Sequence, residues 1–400
     1  MSVKTLLIIV NEDQYFVSHR MEIARGAIAA GWRVVVAAAP VSGCRDTIEK
    51  EGIEFQPLPL HGDGMNLNDQ IATLRILIKL FQRHRHAVLH LVGMKMLLVG
   101  NVAARIAGFQ GGIVNAVCGL GSMFRDPQAF KPRLLMRVLR SVWRRHNVAT
   151  IVQNHDDEQI LIDNGVIDPE EVVYIKGAGT NLKKYGKTSP KIPNRIKRVI
   201  FTGRLLRSKG VTDLVEAAEM LRAKWEGKVE FMICGGLSSN HESLKKEDMD
   251  RLCDGRYIVW TGLRNDIPGL LADSDIMAFP SYYREGVPLS LIEASASGLP
   301  IITCDSVGCR DTVDGNGFTV PPRSPQSIAD KIDLLLSDES LRCSYGRRSR
   351  ELAERDYDIR NVVHRHLNLY SRLAAATAGV AVGQPAAHPA PHPEISVSYV

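Results

Sequence analysis

Short apolar runs recur along this chain, each followed by a stretch with helical spacing and then another apolar run; no other feature restricts the fold as much. KTLLIIV at 4–10, WRVVVAAAP, GIEFQPLPL, HAVLHLV, GIVNAVCG and VATIVQN read as strands. Between them MEIARGAIAAG, closed by Gly31, and the segments 66–85, 94–107 and 130–146 read as helices, with NEDQYFVSHR as a loop. An alternating order of strand and helix of this kind implies a doubly wound parallel sheet. The loop after the first strand lacks GxGxxG, which argues against a nicotinamide site in this half.

A second series follows. After EVVYIKGAG comes NLKKYGKTSPKIPNR, polar and rich in Lys, Pro and Ser, which reads as an interdomain linker. RVIFTGRL, KVEFMICGG, YIVWTG, DIMAFP and LPIITCD then read as strands, with helices at VTDLVEAAEMLRAK and DIPGLLADS. The expected organisation is α/β: two Rossmann-like domains facing a central cleft, over 1–188 and 189–358. A last helix, 359–373, is expected to pack back on the first domain, and the Ala, Gly, Pro and His-rich tail 374–400 to be disordered. Four hundred residues supply enough chain for two separate cores. The seven cysteines lack CxxC spacing, so reduced thiols in a cytoplasmic protein are expected. MSVKTLLIIVNEDQ has too short an apolar run for a signal segment, and Lys95 and Arg105 interrupt the best candidate for a bilayer span.

Chemistry concentrates in the second half. PSYYREGVPLSLIEA at 280–294 places Glu285 at a strand exit and Glu293 about two turns into the helix that follows. The leading amides of that helix, near Val287, Leu289 and Ser290, are expected to face the crevice where open α/β sheets bind anions. GRLLRSKG at 203–210 follows another strand, and its Gly203 lets backbone pass close to a ligand. Arg204 and Lys209 project from this loop, and two cations beside a helix N-terminus suit a diphosphate leaving group. DMD at 248, DSD at 273 and DYD at 356 are the DxD-like strings a metal-dependent transferase would use, but Asp273 and Asp275 more simply end a helix and start a strand.

GRLLRSKG, TGLRNDIPGLLADSDIMAFPS and PSYYREGVPLSLIEASASGLPIITCD together resemble the donor half of retaining family 4 glycosyltransferases of the GT-B fold. The resemblance implies that Arg204 and Lys209 hold a sugar-nucleotide diphosphate. It also implies that Glu285 contacts the transferred sugar, Glu293 the ribose, and Gly262, Leu263 and Arg264 the base. Gly286 and Pro288 join the donor-binding turn. SHRMEI, CGLGSMF and IKGAGTNLKKY are similar to bacterial polyprenyl-diphosphate-sugar N-acetylhexosaminyltransferases, the group that includes the N-acetylgalactosaminyltransferase of bacterial protein N-glycosylation. This implies a UDP-N-acetylhexosamine donor and a lipid-linked glycan acceptor, with Arg20, Cys118, Gly119 and Gly121 on the acceptor side. Many members carry H-x-H where this chain has His90 and Val92; Lys95 is the surviving candidate for that active-site contact, and Cys118 replaces a His or Glu. The mechanism implied retains configuration at the anomeric carbon and requires no cofactor or metal.

KPRLLMRVLRSVWRRH carries Lys131, Arg133, Arg137, Arg140, Arg144 and Arg145 and no acid. Leu135, Val138, Leu139, Val142 and Trp143 fall on one helical face, a pattern suited to an anionic lipid surface, and IATLRILIKLFQRHRH is similar. Attachment to the inner face of the plasma membrane is therefore expected. The basic residues alternate with aliphatic ones instead of stacking aromatics, so nucleic acid is a poor fit as partner. Two other readings share the fold: a synthase or epimerase acting on a soluble substrate, and a non-catalytic scaffold. The joint presence of Arg204, Lys209, Glu285 and Glu293 speaks against the scaffold.

Overall fold

The computed structural model describes residues 3–60, 67–121, 130–186, 196–238, 240 and 242–379. Seven strands form the first sheet: β1 (Thr5–Glu12), β2 (Arg33–Ala39), β3 (Glu54–Pro57), β4 (Val88–Val92), β5 (Ile113–Ala116), β6 (Val148–Val152) and β7 (Val172–Tyr174). Six form the second: β8 (Lys197–Thr202), β9 (Val229–Cys234), β10 (Ile258–Gly262), β11 (Ile276–Phe279), β12 (Ile301–Cys304) and β13 (Gly317–Val320). The orders are β3-β2-β1-β4-β5-β6-β7 and β10-β9-β8-β11-β12-β13, with every pairing parallel. Each order reverses once, between β1 and β4 and between β8 and β11, and these reversals open a crevice at the carboxyl ends of the strands.

The uniform apolarity of the central strands has the expected physical cause. Leu6, Leu7, Ile8, Ile9 and Val10 of β1, and Val199, Ile200 and Phe201 of β8, are fully buried. Complete burial of such a side chain contributes about 1.5–3 kcal/mol, so these runs anchor the two cores. The cores are separate as far as Ile175, which packs in the first, and Leu182, which packs in the second. The chain then returns. Thr180 and Asp358 form a parallel bridge, the Thr180 amide donates to the Tyr357 carbonyl (2.8 Å) and the Ile359 amide to the Thr180 carbonyl (3.0 Å). Beyond this crossing the helix Ile359–Thr377 buries Val362, Leu369, Tyr370 and Leu373 in the first domain's core, with Val363 against Gly26.

Several local expectations are corrected. NEDQYFVSHR is not a loop: β1 continues to Glu12 and a helix spans Asp13–His19. Its cause is tertiary, because buried Asp13 accepts from the Ser42 (3.0 Å) and Cys44 (2.8 Å) amides after β2. The short β13 and the helix His155–Asp163, capped by Asn154 accepting from the Asp157 amide, were missed. The last helix extends to Thr377, so residues 374–377 are helical and not tail. Residues 380–400 and 187–195, where the remainder of the tail and much of the linker were expected, lie outside the described residues. None of the seven cysteines is in a disulfide.

Candidate active site

The loops leaving β8 and β11 meet at the reversal of the second sheet. The residue after Lys209 is Gly210, in a left-handed conformation (φ +75°), and a Cβ there would lie 2.1 Å from the Pro280 carbonyl oxygen. Only glycine allows that approach. One residue before Lys209, the Ser208 carbonyl accepts from the amides of Tyr282 (3.0 Å) and Tyr283 (3.1 Å). The two loops are thereby zipped together, and Lys209 is ion-paired with Glu285. Ser281 donates its hydroxyl to Glu285 Oε1 (3.3 Å), and Lys209 Nζ lies 5.3 Å from the ring centroid of Phe279 and 5.6 Å from that of Tyr283. The pair is mostly buried, with 10% and 15% of the side chains exposed, so its field is weakly screened by solvent. A third loop braces it: the Glu285 amide donates to the Val307 carbonyl (3.2 Å), and the Ser306 hydroxyl to the Ser281 carbonyl (2.7 Å).

Around this pair the other donor-side residues fall as follows. Gly203 follows β8 with its amide on the Cys234 carbonyl (3.0 Å), and Arg204 beside it is exposed with no side-chain partner among the described residues. Gly286 and Pro288 are buried in the turn, and the helix starts at Leu289, one position beyond its cap Pro288. The Leu289 and Ser290 amides, first in that helix, have no intrahelical acceptor. The Val287 amide, expected to be open, is instead taken by Gln153 Oε1 from the other domain (2.9 Å). Glu293 is one turn into the helix, not two. It accepts from the Tyr185 hydroxyl (2.5 Å), and burial pushes its carboxyl up to about 7, with the Tyr185 bond opposing. Gly262 ends β10, Leu263 is 79% exposed, and Arg264 is paired with Asp266 (2.6 Å).

The acceptor-side residues cluster at the carboxyl edge of the first sheet. Arg20 is buried, donating to the His19 carbonyl (2.9 Å) and to Cys118 Sγ (3.1 Å). Gly119 (φ +101°) touches the donor loop directly, since a Cβ there would lie 2.6 Å from the Gly286 amide nitrogen. Gly121 faces the Tyr283 hydroxyl. Lys95, half-buried near the start of the helix Met94–Ile106, has no side-chain partner among the described residues. His90 is a tie to the last helix: its Nδ1 lies 2.6 Å from the Tyr370 hydroxyl, and burial, with His366 and Arg20 nearby, holds the ring well below the ordinary histidine range. Residues 122–124 of CGLGSMF lie outside the described residues.

The DxD-like strings have other occupations. Asp275 accepts from the Arg198 amide (2.8 Å), Asp248 from the Lys245 amide (3.1 Å), and Asp356 pairs with Arg355 (2.8 Å). Among the described residues no three His, Cys, Asp or Glu side chains are grouped to hold a metal ion. The basic helix Phe130–Trp143 also needs correction. Leu139 and Trp143 are fully buried and Trp143 donates to Thr150 Oγ1 (3.3 Å), so this part of the stripe is core. Leu134 (49%) and Val138 (38%) are exposed, alongside Arg133, Arg137 and Arg140. Among the described residues no helix is long and apolar enough to cross a membrane.

Two parallel-sheet α/β domains facing a cleft are the architecture of GT-B glycosyltransferases. Solved structures carry the same fold: a crystal structure of the Anabaena protein HepE with UDP and glucose superposes with TM-score 0.74 at 19% identity, over 92% of this chain and 99% of that one. The lipopolysaccharide glycosyltransferase WaaG superposes with TM-score 0.63 at 16% identity, over 94% and 100%. Residues 17–177 match the family described as "Glycosyl transferase 4-like domain" and residues 196–338 "Glycosyl transferases group 1". The N,N'-diacetylbacillosaminyl-diphospho-undecaprenol alpha-1,3-N-acetylgalactosaminyltransferase of Campylobacter jejuni is 30% identical over 271 residues, covering 64% of this chain and 69% of that enzyme. The UDP-Gal:alpha-D-GlcNAc-diphosphoundecaprenol alpha-1,3-galactosyltransferase of Escherichia coli is 26% identical, covering 69% and 73%. The chain belongs to this glycosyltransferase family.

The sequence singles out the 203–210 and 280–294 loops but not much of what holds them. Gln153, Asn154, Asp157, Arg284 and Tyr185 all touch the site and none was singled out. Only the Asn154 cap of NHDDE had a local signal; the other contacts join residues 108 to 134 positions apart.

Proposed function

We propose that this chain is a retaining, metal-independent transferase that moves an N-acetylhexosamine from a UDP-sugar to a polyprenyl-diphosphate-linked glycan at the inner membrane face. The observation that carries the reading is the buried Lys209–Glu285 pair at the reversal point of the second sheet, beside the Leu289 and Ser290 amides that have no intrahelical acceptor. In the proposed complex the donor diphosphate draws Lys209 and Arg204, and the Leu289 and Ser290 amides add positive potential where leaving-group charge grows. Glu285 is then free to accept from the sugar's hydroxyls and Glu293 from the ribose. The acceptor hydroxyl attacks from the side the nucleotide leaves, and the departing phosphate oxygen takes its proton. The choice of donor and lipid-linked acceptor is supported by the relatives named above, both of which act on undecaprenyl-diphosphate-linked sugars.

The membrane part of the reading rests on Leu134 and Val138 standing exposed among Arg133, Arg137 and Arg140, with no acid in that helix. Each basic residue near an anionic surface adds about 1 kcal/mol. The test of the chemistry is UDP release from a panel of UDP-hexoses and UDP-N-acetylhexosamines, in excess EDTA, with the product anomer assigned by NMR. N-acetylhexosamine release with retention is expected, and Glu285→Ala or Lys209→Ala should lower it by on the order of a hundredfold. Turnover unaffected by either substitution removes the site assignment; loss in EDTA restored by manganese removes metal independence.

A further inference from the structure

The Glu285 turn is gripped on both sides by the opposite domain. Arg284 reaches across to Asp157, with Nε at 3.0 Å and Nη2 at 2.7 Å from Oδ1. Only 12% of the arginine side chain and 1% of the aspartate are exposed. On the other side of Glu285, the Val287 amide donates to Gln153 Oε1. Between them Gly286 fits so closely that a Cβ would lie 2.2 Å from Gln153 Oε1. Asp157 is itself fixed, accepting from Asn154 Nδ2 (3.1 Å) and the Leu120 amide (3.2 Å) while its own amide donates to Asn154 Oδ1 (2.8 Å). Arg310 and Asp156 form a second, more exposed pair across the same boundary (3.0 Å).

We propose that Asp157, acting through Arg284, is a positioning residue for Glu285, so that the donor sugar is held for transfer only while the acceptor domain is docked. The inference rests on the reading that Glu285 contacts the transferred sugar. Its physical basis is the cost of leaving Asp157 unpaired. Burial raises this carboxyl and Arg284 is the strongest opposing influence, so separating the domains strips a buried carboxylate of its guanidinium. The turn has two states, gripped or released, and Glu285 sits in its middle. The Ser208 and Lys209 contacts and the leading Leu289 and Ser290 amides that suit a diphosphate lie within the second domain and do not pass through Asp157.

A purely structural interface would affect binding and turnover together, whereas a positioning role separates them. The experiment measures UDP affinity by calorimetry and UDP-sugar turnover for Asp157→Asn, Arg284→Lys and Glu285→Ala in the full chain, with thermal melts. UDP binding serves as the folding control, and Arg284→Lys keeps a cation if Asp157→Asn does not fold. The expected result is UDP affinity within about twofold of wild type and kcat lowered on the order of a hundredfold in both latch variants, the scale of a small misplacement of a reacting group. Unchanged kcat in Asp157→Asn and Arg284→Lys overturns the inference, as do equal losses of affinity and kcat. Full turnover in Glu285→Ala overturns the underlying site reading, and the inference with it.

Discussion

Glu293 offers a perturbation whose size can be worked from the structure. Its carboxyl, ordinarily at 4.5, is pushed up to about 7 by burial, and the Tyr185 hydroxyl is the only partner opposing that rise. Between those two values the folded chain keeps a proton that the unfolded chain has lost, so Glu293 makes stability fall as pH rises from about 4.5 to about 7. Above and below that window its contribution is flat. At about 1.4 kcal/mol for each pH unit separating the two states, the full loss is about 3 kcal/mol. Glu293→Gln keeps the shape and cannot ionise. The stability difference between variant and wild type should therefore shift by about 3 kcal/mol in the variant's favour between pH 4 and pH 8. Denaturant titrations at pH 4, 6 and 8 read this directly. If the two proteins follow parallel pH curves, the buried, proton-holding carboxyl is refuted. A second readout tests the ribose role: wild-type UDP affinity should fall about tenfold from pH 8 to pH 6, as the ionised fraction drops from about nine-tenths to about one-tenth, and the variant should lack this dependence.

Gly210→Ala forces a Cβ to 2.1 Å from the Pro280 carbonyl in a left-handed conformation, and should cost roughly 2–4 kcal/mol by chemical denaturation and separate Lys209 from Glu285, with loss of UDP-sugar turnover. Replacing Arg133 and Arg137 together by Glu, on the exposed side of the basic helix, should abolish flotation with anionic liposomes while leaving UDP affinity unchanged; flotation identical to wild type would remove that helix from the membrane reading.

What the sequence made legible follows the range of the interactions. Strands such as LLIIV and VIF could be read because burial on both faces leaves an unbroken apolar signature, and the donor loops because glycine, cation and carboxylate fall within one strand–loop–helix unit. The helix Asp13–His19 was hidden because side-chain bonds from Asp13 to the Ser42 and Cys44 amides, 29 and 31 positions away, create it. Trp143 misled for a related reason. An amphipathic pattern fixes which residues share a face but not whether lipid or the domain's own sheet covers it, and here Thr150 and the core take that face. The Arg284–Asp157 contact had no local signature, since neither residue's neighbours report a partner 127 positions off.

The same separation of ranges bears on how the site works. Among the described residues the backbones of the two domains are bridged where Thr180 and Asp358 pair, and the Arg350 guanidinium donates to the Tyr185 carbonyl (2.6 Å) just beyond it. Tyr185 in turn holds Glu293, so the crossing is tied to the donor side by two bonds of one residue. Across the cleft, between the second domain and the first, lie ion pairs, an amide–glutamine bond and glycine against glycine, with Gly177 packed on Val287 and Ile292 as a small apolar contact. Such contacts separate without exposing an extended apolar surface, whereas the helix Ile359–Thr377, whose Leu369, Tyr370 and Leu373 lie in the first core, cannot leave without doing so. Under the proposed function, Glu293, tied to the crossing through Tyr185, would hold the nucleotide, while the grip of Glu285 on the sugar would depend on the Arg284–Asp157 contact beside it.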